Sequence, residues 1–167
     1  MKPSPAVALG LFIATPAFAD IRVDFDEGAP KDRFTILNDG ACALEEATVT
    51  VDLDGSAGKL IFDVTGSGAG IQVFQPFEAV SGAELLTELP SVSDGDTAVS
   101  LTLRSLSPGE RVAFTIDVDD TTSGYGITVS GSEITGAGVR VQAGDRMAEG
   151  RFGEDAVARV ALSGCIS

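Results

Sequence analysis

Carboxylates recur along this chain in close pairs: Asp24 with Asp26, Asp52 with Asp54, Asp94 with Asp96, and Asp117, Asp119 and Asp120 together. Alternate residues of a strand share a face, so Asp117 and Asp119 set hard oxygen donors side by side. With Asp120 they are the candidate calcium ligands, since calcium is held by clustered carboxylate oxygens. No segment has the spacing of an EF-hand loop, and the same acids on a solvated face would only keep the protein soluble. Paired carboxylates also serve glycosidases, but that chemistry needs one acid of raised pKa in a cleft, which strand-borne acids do not supply. The chain contains no histidine. That removes Ser-His-Asp and Cys-His nucleophilic catalysis, imidazole metal sites and a histidine pH switch. The expectation is a protein that is not an enzyme and has no catalytic residues, with calcium its one candidate cofactor.

The two cysteines, Cys42 and Cys165, point to a disulfide if the chain is exported, because an even count in an oxidising compartment favours a bridge over a metal or a catalytic thiol. Two separately buried thiols are the alternative. A bridge closing so long a loop is rated at about 4 to 5 kcal/mol by the chain-entropy model.

Export is what the first residues indicate. Lys2, an apolar run over residues 6–14, Thr15-Pro16 and the small-x-small triplet Ala17-Phe18-Ala19 have the layout of a signal peptide spanning residues 1–19, cut before Asp20. The apolar run is shorter than the ~20 residues a membrane-spanning helix needs, and no later run is longer, so no membrane insertion is expected after cleavage. Residues 20–167 are then one domain of 148 residues, enough to bury a core. Cleavage removes Lys2 and no acid, leaving 10 basic against 25 acidic side chains and a formal charge of −15. Such a charge repels nucleic acid and anionic membrane surfaces.

The elements that must position these residues read as strands throughout. In residues 111–120, Val112, Phe114, Ile116 and Val118 alternate with Ala113, Thr115, Asp117 and Asp119, so one face is expected to pack and the other to be wet. Pro108-Gly109 and residues 120–124 bound that strand with turn chemistry. Similar alternation marks Ile21-Val23-Phe25, Phe34-Ile36, Ala47-Val49-Val51-Leu53, residues 59–65 and residues 71–74. It continues in Val99-Leu101-Leu103, Ile127-Val129, Ala137-Val139-Val141, residues 147–152 and residues 157–162. Ser81 and Glu84 have capping-box spacing ahead of Leu85, Leu86 and Leu89, so a short helix ending at Pro90 competes there with an extended crossover. Roughly ten strands with Gly- and Asp-rich turns and no long helical period predict an all-β fold: a single antiparallel β-sandwich, Ig-like or jelly-roll in style. After the leader the chain keeps one tyrosine, Tyr125, and no tryptophan, with most Phe on the apolar phase of strands. A stacking carbohydrate site is therefore not expected, and Tyr125 is the one aromatic placed for exposure.

Several blocks resemble a family of short exported bacterial proteins called aggregation factor core. They are Phe25-Asp26-Glu27-Gly28-Ala29-Pro30-Lys31-Asp32-Arg33-Phe34, Gly40-Ala41-Cys42, Phe62-Asp63-Val64, Ser93-Asp94-Gly95-Asp96, Phe114-Thr115-Ile116-Asp117-Val118-Asp119-Asp120, Val129-Ser130-Gly131-Ser132-Glu133-Ile134 and Leu162-Ser163-Gly164-Cys165. The resemblance implies an exported β-rich protein with an adhesive or surface role and carries no catalytic residues. Two functions follow as expectations. The first is a non-enzymatic adhesion or interaction module of the periplasm or cell surface, calcium-assisted or not, with a protein or surface partner. The second is a small-ligand, ion or inhibitor-type binding protein of the periplasm. An apolar exposed strand edge would favour the first, and an enclosed pocket with convergent polar groups the second. The sequence does not specify oligomeric state or partner.

Overall fold

The computed structural model describes residues 18–67, 74–122 and 129–163. Ten strands run through them: β1 (Phe18–Asp26), β2 (Asp32–Asn38), β3 (Leu44–Asp52), β4 (Leu60–Asp63), β5 (Glu78–Ser81), β6 (Ala98–Leu106), β7 (Arg111–Asp120), β8 (Gly138–Ala143), β9 (Arg146–Arg151) and β10 (Val157–Ser163). All pairings are antiparallel. One sheet has the order β10-β1-β2-β7, with β4 and β5 both pairing β7 at successive stretches; the other has the order β6-β3-β8-β9. The two layers pack into the β-sandwich that the alternation predicts.

The apolar phase of each strand faces the space between the sheets. Ile21, Val23, Phe34, Ile36, Phe114 and Ile116 from the first sheet meet Val49, Val51, Leu101, Leu103, Val139 and Val141 from the second. Phe34 is the hub of the aromatic part, stacked on Phe114 at 5.1 Å between ring centres and touching Phe25, Phe62 and Phe152 at 5.0, 6.4 and 6.5 Å. Non-local strand pairing carries no helical scaffold, so this buried apolar layer is the main favourable term.

A buried amide fixes the layers at one end. Asn38 is fully buried at the end of β2; its side-chain N–H groups donate to the carbonyls of Cys42, just before β3, and Leu106, at the end of β6, both at 2.7 Å. Its side-chain oxygen accepts from the Gly40 N–H at 3.1 Å. The Asn38-Asp39-Gly40 turn is thus also a bridge between sheets.

Three local expectations change. The capping box does not form: Ser81 ends β5, Gly82 opens a single 3₁₀ turn at Ala83–Leu85 without a side-chain cap, and Gly82 has φ +70°. A Cβ at Gly82 would overlap the Arg111 carbonyl, so glycine is needed for the close approach to β7 as well as for its backbone angle. The strand read over residues 59–65 shortens to β4, since Lys59 has φ 49° and the Asp94 carboxylate, not a strand, takes the N–H groups of Val64 and Thr65. Finally, the second face of β7 is not wet: Ala113 and Asp119 are buried, and Thr115 and Asp117 are only part-exposed. The strand predicted at residues 71–74 falls outside the described residues except for Phe74, which lies in no strand; Ile127 and Tyr125 also fall outside them, and Val129 is buried but not in a strand.

The strand edges are protected unequally. The outer side of β6 is covered by an isolated bridge from Leu86 to Leu103 and a bond from the Thr87 N–H to the Thr102 carbonyl. The outer side of β4 exchanges bonds between Phe62 and the 95–96 turn at 2.8 and 2.9 Å. The edge of β9 carries Arg146, Glu149 and Arg151 and lies so close to β10 that a Cβ at Gly150 would overlap the Arg159 carbonyl. Among the described residues, β5 has backbone bonds to β7 alone.

Candidate functional site

The carboxylates separate into two kinds. Most of the pairs noted in the sequence act on their own turns. Asp52 accepts from the Asp54 N–H at 3.0 Å, Asp96 from the Ser93 N–H at 2.8 Å, and Asp24 pairs with Arg22 at 2.5 Å. Asp94 accepts from Val64 N–H, Thr65 N–H and the Thr65 hydroxyl, and these donors hold its carboxyl below the ordinary range, the hydroxyl bond being the largest cause. Asp52, Asp94 and Asp96 are loop fasteners, and Asp24 is held in an ion pair along β1.

The second kind gathers where β2, β4 and β7 meet. Strand register places Asp63 directly opposite Asp117, with Asp119 opposite the neighbouring Ile61. Directly opposed residues point to one face, so Asp63, Asp117 and Asp119 share a face of the sheet. Asp32, first residue of β2, joins them from the next strand. Three of the four are buried: Asp63 at 0%, Asp32 at 2% and Asp119 at 7% exposure.

Asp32 has a structural explanation. Its Oδ2 accepts from the Val118 N–H at 3.1 Å and its Oδ1 from the Gly28 N–H at 3.0 Å, so the carboxylate prolongs the ladder past the start of β2. Even so, burial pushes its pKa up to about 7; the two N–H donors oppose that rise, and Asp119 and Glu27 add repulsion.

Asp63 has no such partners. Neither side-chain oxygen receives a hydrogen bond, although the residue is closed off from water. Burial first, then the charges of Asp119 and Asp117, push its pKa up to about 7; the one hydrogen bond open to it is a shared proton with Asp119. For Asp117 burial again leads, reinforced by Asp119 and Asp32 and opposed by Lys31, and its pKa also rises to about 7. Lys31 is already engaged with the Pro76 carbonyl and the Glu78 carboxylate, both at 3.0 Å.

The predicted calcium ligands are therefore divided. Asp117 and Asp119 are brought together, whereas Asp120 is on the opposite phase of β7, opposed to Leu60, with its carboxylate accepting from the Thr122 N–H at 3.0 Å. Among the described residues no group of three or more His, Cys, Asp or Glu is arranged to hold a metal ion. Asp63 and Asp32, which complete the cluster, have no sequence signal of this role: Asp63 sits between apolar Phe62 and Val64, and only strand register reveals what it faces.

Two surface features complete the inventory. An open cleft of about 300 Å³ over β3, β8 and β9 is lined by Asp52, Asp54, Arg140, Glu149 and Arg151. Its cations are spent internally, Arg140 on Glu149 and Arg151 on the Gly136 carbonyl, both at 2.7 Å. By contrast, the open edge of β5 lies in a segment with unmatched apolar surface. Phe74 is 75% exposed, Leu89 65% and Val80 40%, three of the four large exposed hydrophobics among the described residues. Phe74, Phe77, Pro90 and Val92 line a shallow groove there.

Cys42 is buried in the core cluster, and no free cysteine is found among the described residues; Cys165 lies outside them. No helix among the described residues is long and apolar enough to cross a membrane. Comparison with family models, curated proteins and solved structures yields no match for this chain.

Proposed function

We propose that this protein is an exported, non-enzymatic interaction module of the periplasm or cell surface that binds its partner through the β5 edge. The observation that carries this reading is the coincidence, among the described residues, of a strand edge bonded on one side only with exposed Phe74, Val80 and Leu89. An unpaired edge offers a row of N–H and C=O groups to an extended segment, and natural proteins usually blunt such edges with charge or cover. Here the β4 and β6 edges are covered and the β9 edge is charged, whereas β5 carries Val80 and lies in a segment that exposes Phe74 and Leu89. The partner is a protein presenting an extended apolar segment flanked by basic residues, because the mature chain carries a formal charge of −15. The layout of residues 1–19 and the resemblance to aggregation factor core proteins support export and a surface role. The same setting supports a Cys42–Cys165 bridge.

The test is to tag the mature chain in its own producing cells, fractionate them, and identify what co-purifies. Val80→Lys should abolish capture of the partner while the melting temperature stays within a degree or two of the wild type. Undiminished capture by Val80→Lys and by Phe74→Ser would refute the β5 edge, and recovery of the chain in the cytoplasm with its leader intact would refute export. Thiol titration of the denatured, unreduced protein should find no reactive thiol; two per chain would exclude the bridge.

A further inference from the structure

Where β4 crosses β7, the pairing is between acids. Asp63 faces Asp117 across the strands, Asp119 lies one position along, and Asp32 closes the group from β2. The charged neighbours contributed by the surrounding elements are Glu27 and Lys31 from the loop before β2 and Asp94 from the turn outside β4. Lys59 just before β4, Arg33 on β2, Arg111 at the far end of β7, Asp120 on the opposite phase of β7 and Glu78 on β5 complete the charges of the packed strands. Lys31, which opposes the rise at Asp117, is already shared with Glu78. An ionised carboxylate that is buried and receives no hydrogen bond is untenable without a compensating charge, so such a group takes a proton instead. Asp63 is that group, fully buried with both oxygens unpartnered and aimed at two other acids.

We infer that β4 is held to β7 by protons shared among Asp63, Asp117 and Asp119, so that this edge of the first sheet is closed most tightly in acid and loosens as those protons are lost with rising pH. The protonated carboxyl is both donor and neutral neighbour: it turns a repulsive cross-strand pair into a hydrogen-bonded one. β4 is four residues long. Its outer side rests on a turn held by Asp94, which has donors of its own and does not share the cluster's protons. Loss of the shared protons therefore acts on one short strand, not on the sandwich as a whole. This inference is independent of the β5 docking reading.

The experiment is hydrogen–deuterium exchange of the mature protein at pH 5.5 and 8.0, corrected for intrinsic exchange, comparing a peptide covering β4 with one covering β8. Protection of the β4 peptide should fall at least tenfold between the two pH values relative to the β8 peptide. Asp63→Asn, which removes a charge while keeping the shape, should abolish most of that difference. Asp145→Asn, an exposed change of the same charge, should leave it intact. Equal pH response in both peptides, or an unchanged response in Asp63→Asn, would overturn the inference. So would a β4 peptide that is protected at pH 8.0 only when millimolar calcium is added and not by magnesium at equal ionic strength, since a cation would then replace the protons. Should Asp63→Asn fail to fold, Asp117→Asn reads the same pair from the other strand, and there an unchanged pH response overturns it.

Discussion

The two sheets solve the same problem with opposite chemistry. In the second sheet, β3 lies between β6 and β8 with Val49 and Val51 inward and Thr48, Thr50 and Asp52 toward solvent; every cross-strand pair on its packed face is apolar. In the first, β7 begins in the same way, with Phe114 against Phe34, and ends among carboxyls. Stability in the second sheet comes from removing apolar surface from water, a contribution without a titrating group. At the lower half of β7 it depends on protons. A strand of one apparent alternation can thus be pH-blind at one end and pH-sensitive at the other, depending only on what its neighbours place opposite it.

The strongest way to break this comparison is Leu101→Ala in β6, a fully buried side chain. Truncation there should cost about 2 to 5 kcal/mol. Urea denaturation at pH 5 and pH 7.5 should give the same loss at both; a loss confined to one pH would show that the second sheet is also tied to ionisation. A smaller effect of opposite sign is expected for Asp117→Asn. For carboxyls raised to about 7, the folded state keeps protons that the unfolded chain, with values near 3.8, has already released. Stability is therefore full at low pH, declines from about pH 4 to about pH 7, and stays at its reduced level above that. Relieving one such group should raise stability at pH 7.5 by about 1 kcal/mol, discounted for the part-exposure of Asp117, and change nothing near pH 4. A destabilised variant at pH 7.5 would mean that the carboxylate is needed in its charged form. The smallest effect belongs to Asp145→Asn in the β8–β9 turn, exposed and outside the cluster. It should shift stability by less than about 0.5 kcal/mol at either pH. A shift as large as that of Asp117→Asn would assign the pH response to the overall acidic charge of the chain instead of to the contact.

What was legible in the sequence follows from the same physics. Period-two alternation is produced by one packed face, so β1, β3, β6 and β7 stand out wherever one side of a strand meets the core. The short strand β5 has no such pattern, since Glu78, Val80 and Ser81 are exposed and Ala79 is only half-buried. A capping-box spacing at Ser81 lost to a tertiary contact, the approach of Gly82 to the Arg111 backbone. Asp117 and Asp119 were recognisable as a pair because they lie two residues apart on one strand. Their true neighbours, Asp63 and Asp32, come from strands 54 and 85 positions earlier than Asp117, and register between distant strands leaves no mark on local composition.

The unequal protection of the strand edges also sets how many copies of the molecule could join through their backbones. With β6 bridged, β4 capped by its turn, and β9 charged and pressed against β10, the described part of the molecule has a valence of one, located at β5. Two such edges meeting would consume each other and leave nothing for a third chain. Growth by strand addition would terminate at a pair, which separates this architecture from fibre-forming β proteins, whose two free edges let each added chain recreate the surface it occupied.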